Sequence, residues 1–188
     1  HQGRAFRQIA LEFRELHHRM QINIGRLRNE GKSIRVGVTM GVLLEMGHGA
    51  LNSLRESLSP LTLELVDMMD YTCERAVENA EVDFGITVAP LDPVRFFEVP
   101  LKRRSIYAVV PQEHPLAEKN QVTFADLRGE SFILANNNFK IYHSFLEKCE
   151  ANGFQPNVLA TTMETMVIYT RSRQGQGIGI SSDLPFIG

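Results

Sequence analysis

The chain has 188 residues, 43% of them hydrophobic and 22% charged, with a formal net charge of −2. That composition suits one large globular domain or two small ones and excludes disordered and collagen-like classes. Apolar runs such as Val42-Leu43-Leu44 fall far short of the ~20 residues that span a bilayer, no export signal is visible, and Cys73 and Cys149 are too few for a disulfide framework, so a reducing, cytoplasmic setting fits best.

Residues 1–32 hold seven Arg/Lys against three Glu, whereas the rest of the chain is acidic. A basic segment on an acidic body suits proximity to a polyanion, and it suits a solvated helix face equally. Within it Phe6, Ile9, Phe13, Leu16, Met20, Ile24 and Leu27 recur at spacings of three and four. This heptad-like seam is too narrow for a helix buried in a core. It predicts a rod-like dimerisation helix over 5–28, with packing on its own domain as the other solution, and Gly31-Lys32-Ser33 as its stop.

From Ser33 the period changes to two: Ile34, Val36, Val38 and Met40 alternate with polar or small residues and predict a strand. Val42 to Leu58 reads as a helix stopped by Ser59-Pro60, and Leu61, Leu63 and Leu65 as a second strand. Tyr71 to Ala80 reads as a helix with Asp70 as its N-cap, and Val82, Phe84, Ile86 and Val88 as a third strand. The order β-α-β-α-β predicts parallel strands.

Ala89-Pro90-Leu91-Asp92-Pro93 breaks the pattern, and Phe97 to Pro111 is then strand-like around the basic run Lys102-Arg103-Arg104. A short helix is expected near Phe124–Leu127, a strand at Phe132–Ala135, and a helix from Lys140 to Ala151 ended by Gly153. Asn157–Ala160 reads as a strand, and Thr161-x-x-Glu164 has capping-box spacing before a helix over Met163–Arg173. Gly175-Gln176-Gly177 turns into a last strand at Ile178–Ser181. The β/α pattern restarts after residue 105, which predicts two similar lobes joined by a strand passing from one to the other.

No catalytic constellation is legible. His17, His18, His48, His114 and His143 are scattered, and none pairs with Cys, Asp or Glu at ligand or triad spacing. Ser181-Ser182-Asp183 lacks a nucleophile elbow, and Cys73, although in a first helical turn, reads as a small buried residue. The expectation is therefore no enzyme, no metal and no cofactor. Gln174 to Gly179 imitates a phosphate loop but leads from helix to strand, the reverse of the required order. Val36 to Gly41 does run from strand to helix. Unpaired N–H groups after Gly41 would suit a carboxylate at Thr39–Val42, and a tight turn needing a small residue explains Gly41 equally. Met68-Met69-Asp70, Asn136 to Phe139 and Thr161-Thr162 also lie at strand ends beside helix starts, where open α/β sheets collect ligands and where simple caps occur too.

Several segments together resemble LysR-type transcriptional regulators. Gly3-Arg4-x-Phe6 running into Ala10 is similar to the start of their linker helix, and Ile34-Arg35-Val36-Gly37 to the first strand of their effector domain. Ser59-Pro60-Leu61-Thr62-Leu63, Val82-Asp83-Phe84-Gly85-Ile86, His114-Pro115-Leu116-Ala117 and Gly177-Ile178-Gly179-Ile180 follow in the family's order. The resemblance implies an α/β fold of the type II periplasmic-binding-protein kind, with two β/α subdomains joined by crossing strands after a long N-terminal helix. It implies a linker/dimerisation helix over 1–32, a first lobe over 33–100, and a second lobe with the return crossing strand over 101–188. The family's winged helix-turn-helix precedes the position of His1, and strands and a helix that complete the first lobe follow the position of Gly188, so the first lobe is expected to be incomplete.

The implied function is sensing: a small organic metabolite bound between the lobes as inducer, relayed to a DNA-binding domain outside this chain, in a cytoplasmic homodimer or homotetramer without membrane contact. A stand-alone solute-binding protein of the same fold is the alternative. The family's pocket maps onto Thr39, Met40 and Gly41, onto Met69 and Asp70, onto Val88, and in the second lobe onto Asn136, Asn137, Phe139, Thr161 and Thr162. Gly41 replaces a frequent hydroxyl residue, and Val88 stands where some members have a carboxylate-gripping Arg, which favours a neutral or hydroxylated effector.

Overall fold

In a computed structural model of the chain, residues 33–182 are described, apart from the side chains of 43–48, 50 and 51. The expected helix over 5–28 lies outside them. The chain divides into two compact units, with the division between Val88 and Ala89.

The first unit runs β1 (Ser33–Thr39), α1 (Val42–Leu58), β2 (Thr62–Met68), α2 (Asp70–Glu78) and β3 (Phe84–Ile86). The sheet order is β2-β1-β3, and β1 pairs parallel to both neighbours, as the β-α-β-α-β pattern predicts. One face of β1 sends Val36 and Val38 into a small core with Leu63, packed by Val42, Leu54, Leu58 and Ile86. The middle of the other face, between Arg35 and Thr39, is a glycine, Gly37. A β-carbon on Gly37 or Gly85 would meet the Cys73 thiol at 3.1 or 2.9 Å, so their absence lets α2 press onto the sheet. Arg35 ties the strand starts together. Its N–H donates to Asp83 Oδ2 at 2.8 Å, its guanidinium to the Glu81 carbonyl at 2.6 Å, and its Nε lies 3.3 Å from Glu64.

Two expectations are corrected here. Asp70 is not the N-cap of α2: Met69 holds that place with extended backbone, and Asp70 lies in the first turn. The third strand is also shorter than the 82–88 alternation predicts: it ends at Ile86, and it starts late because the N–H groups of Glu81 and Val82 turn back to the Ala76 carbonyl and close the end of α2.

The second unit runs β4 (Tyr107–Val109), a 3-10 turn (Pro115–Glu118), β5 (Ser131–Ala135), α3 (Lys140–Ala151), β6 (Asn157–Thr162), α4 (Thr165–Arg173) and β7 (Ile178–Ser181). Its sheet order is β4-β7-β5-β6; β5 pairs parallel to β6 and β7, and β4 pairs antiparallel to β7. Phe132, Leu134, Ile178 and Ile180 form the core with Phe145 and Cys149 of α3, the Phe132 and Phe145 rings meeting edge to face at 5.0 Å. On the opposite face Gly179 lies directly under Ser172 and Ile168 of α4.

The strand expected over 97–111 is realised only at Tyr107–Val109. Phe97 is 95% exposed, and Val99, Leu101 and Ile106 are exposed with it. Alternation makes a strand only where a neighbouring strand supplies hydrogen bonds, and Pro100 removes a donor from this run. The short helix expected at Phe124–Leu127 is a set of i to i+3 turns, Asp126 N–H donating to the Thr123 carbonyl and Arg128 N–H to that of Ala125. The capping box does not form. β6 extends through Thr162, α4 starts at Thr165, and the Thr162 hydroxyl accepts from Glu164 N–H at 3.1 Å.

Candidate functional site

Parallel pairing decides which residues share an edge. In the first unit the register Thr39 to Met68 sets the carboxyl ends of β1 and β2 level, and Met40 N–H donates to the Met68 carbonyl at 3.1 Å. Thr39, Met40 and Gly41 therefore adjoin Met69 and Asp70 at one rim, with Val88 two residues beyond the end of β3 at the same edge. Gly41 leaves β1 at φ 86° and serves as the N-cap of α1, a conformation that a side chain strains. Asp70 is 4% exposed and Thr39 1% exposed, and the Thr39 hydroxyl oxygen has no hydrogen-bond partner. Met40 is open to solvent.

In the second unit the register Ala135 to Thr162 does the same work, and Asn136 N–H donates to the Thr162 carbonyl at 2.9 Å. The Asn136 side-chain oxygen accepts from Asn138 N–H at 3.0 Å, and Phe139 N–H donates to the Asn136 carbonyl at 3.1 Å, so these residues build a tight turn into α3. Phe139 is the N-cap of α3 and half-buried; Asn137 and Thr161 are exposed. His143 Nε2 lies 2.8 Å from the Asn137 carbonyl oxygen and anchors the turn to the helix. All five expected residues of this unit thus gather at one sheet edge.

Two further residues beside these edges were not singled out from the sequence. Lys140, the first residue of α3, is 6% exposed and donates to the Pro90 carbonyl. Its signal was a basic residue where the helix dipole favours an acid. Thr87, directly after β3, carries a buried hydroxyl with no hydrogen-bond partner, which only the register could show.

Chemistry of other kinds finds little support among the described residues. No group of three His, Cys, Asp or Glu side chains could hold a metal ion there. Cys73 and Cys149 are buried and not joined in a disulfide, and burial pushes the Cys149 thiol up, which makes it a poor nucleophile. A recess of about 270 Å³ opens at the amino ends of β5 and β7, opposite the rim, near His114, Glu130, Ser131, Leu159 and Gln176. Much of its polar lining is engaged: His114 Nδ1 accepts from Leu116 N–H, the Ser131 hydroxyl from Asn157, and the Gln176 amide bonds Arg171 and Gln174.

A family model described as the LysR substrate binding domain matches residues 28–184. The Hca operon transcriptional activator HcaR of Escherichia coli is 23% identical over 189 residues, covering 95% of this chain and 60% of that protein. Among solved structures, the regulatory domain of CcmR from Synechocystis in complex with 2-PG superposes with a TM-score of 0.73 at 17% identity, covering 84% of this chain and 76% of that one. The effector binding domain of QuiR in complex with shikimate gives 0.64 at 18% identity, covering 81% and 74%. These likenesses show the fold. The chain spans about half the length of the curated relatives it matches.

Proposed function

The chain belongs to the LysR substrate binding domain family, and from that premise we propose that it is the effector-sensing region of a transcriptional regulator, taking a small organic metabolite at the carboxyl-end rims of its two β/α units. The observation that carries this reading is the gathering of Thr39, Gly41, Met69 and Asp70 at one such rim and of Asn136, Asn137, Phe139, Thr161 and Thr162 at the other. Ligands of open α/β sheets collect beyond the carboxyl ends of strands, beside helix N-termini. The regulators and small-molecule-bound effector domains among its relatives support a sensor over a stand-alone solute-binding protein.

On this reading the protein is not an enzyme. The effector binds one conformational state more tightly than another and shifts their populations, and a ligand with equal affinity for both regulates nothing. The signal passes to a DNA-binding domain outside this chain, within a cytoplasmic homo-oligomer held in part by the segment over 1–32. None of the described helices is long and apolar enough to cross a membrane.

The test is thermal melting of the chain with shikimate, 2-PG, benzoate, hydroxylated ring acids, small organic acids and amino acids. A ligand at one hundred times its Kd adds about 2.7 kcal/mol, a readable shift. The shift is expected to fall with Asp70→Ala and with Asn137→Ala. A well-folded chain that no compound in the panel stabilises, or a compound turned over catalytically, would overturn the reading.

A further inference from the structure

We propose that Thr39 and Thr87 form a paired hydroxyl site at the carboxyl end of the first unit's sheet, and that it receives an alcohol group of a hydroxylated effector. This rests on the reading that the rim binds the effector, and it names that effector's class.

β1 and β3 run parallel with Gly37 opposite Gly85 and Val38 opposite Ile86. One residue further on stand Thr39 and Thr87. Both glycines face the Cys73 thiol of α2, and side chains two residues apart on a strand share a face. Carried one residue past its last pair, that register sets Thr39 next to Thr87, which directly follows β3, on the side of the sheet that α2 covers. Thr39 is 1% exposed, and the hydroxyl oxygens of both threonines are buried without a hydrogen-bond partner. A buried hydroxyl left unmatched is costly, and valine would fill the same space without that cost. Two such hydroxyls at the carboxyl end of adjacent parallel strands point to a polar group arriving from outside the chain.

The surroundings select that group. Asp70 lies one helical turn before Cys73 on the same helix face, buried, and its carboxyl oxygens are acceptors that suit a group able to donate. The N-terminal end of α2 opposes a cation through its first N–H groups and dipole. A neutral group that both donates and accepts meets all of these neighbours, and an alcohol does so.

The experiment measures Kd from thermal shifts of the 188-residue chain for matched pairs: lactate against propionate, glycerate against lactate, and 4-hydroxybenzoate against benzoate. The better hydroxylated member is expected to bind about tenfold tighter than its partner, the ratio that one well-made hydrogen bond supplies. That ratio falls to about one with Thr39→Val or Thr87→Val and returns with Thr87→Ser, each variant checked for a cooperative melt. Equal binding within every pair, or a ratio that survives both valine variants, overturns the hydroxyl pair while leaving the effector reading intact. Binding only by compounds without an alcohol does the same. Failure of every compound in both panels overturns the effector reading, and the hydroxyl pair with it.

Discussion

Ala80 and Gly153 occupy the same position in the same helix-ending motif. After α2, Glu81 N–H donates to the Ala76 carbonyl and Ala80 N–H to that of Val77; after α3, Phe154 N–H donates to Cys149 and Gly153 N–H to Glu150. Both residues are left-handed, at φ 55° and φ 75°. An L side chain there costs ~1–2 kcal/mol and glycine does not, although glycine adds entropy to the unfolded chain. Ala80→Gly is therefore expected to stabilise by roughly 0.5 kcal/mol and Gly153→Ala to destabilise by about 1 kcal/mol. Urea midpoints check both signs; a loss from Ala80→Gly would show that its methyl contributes more by packing than its backbone costs.

The glycine floor beneath α2 has a different cause. A β-carbon on Gly85 would stand 2.9 Å from Cys73 Sγ and 3.0 Å from a Val77 methyl, with no left-handed torsion involved. Gly85→Ala is expected to cost ~1–3 kcal/mol by overpacking. Shrinking the neighbour with Cys73→Ala should restore part of that, with a coupling of at least about 0.5 kcal/mol in a double-mutant cycle. Strict additivity of the two substitutions would place the strain on Val77 alone.

These glycines show where local sequence speaks and where it falls silent. α1 and α3 begin and end where periodicity and stop signals put them, because Ser59-Pro60 and Gly153 act on their own backbone. The alternation over 97–111 reports amphipathy but not a partner strand, and most of it forms none. Thr161-x-x-Glu164 has the right spacing for a cap, yet Thr162 is drawn into pairing with β5 and its carbonyl accepts from Asn136. The strand-end residues were legible because parallel β/α units put their strand ends beside helix starts. Thr87 was not, since its unmatched hydroxyl depends on the register of β3 against β1, a long-range relation that no local pattern carries.

Asp126 should leave a mark on acid stability. Lys119 hydrogen-bonds its carboxylate, and Thr123 donates to it from both N–H, at 2.9 Å, and hydroxyl, at 2.7 Å. The bond from Lys119 first, and those from Thr123 next, hold the carboxyl far below the usual carboxylate range. A depressed folded pKa contributes stability that is complete above the unfolded value of about 3.9 and is lost as pH falls below it. Asp126→Asn is thus expected to flatten the stability profile between pH 5 and pH 2 relative to the parent chain, as read from urea midpoints at each pH. Because the pair is exposed, the difference should shrink in high salt. Parallel profiles for the two chains would remove the carboxylate from the acid response.

Gly41 joins stability to the rim. Its φ of 86° sets the turn between β1 and α1 that leaves Thr39 buried and Met40 exposed. Backbone strain ranks residues differently from packing: asparagine tolerates the left-handed region best among L residues, alanine less, and β-branched valine least. The Gly41→Asn, Gly41→Ala and Gly41→Val chains should therefore lose stability in that order, by about 1 kcal/mol or less at first and more at the end. Effector-induced melting shifts should fall in the same sequence, since each step distorts the turn that positions Thr39. A loss that instead follows side-chain volume would assign the glycine to close packing, and unchanged shifts across the series would separate the turn from the proposed effector site.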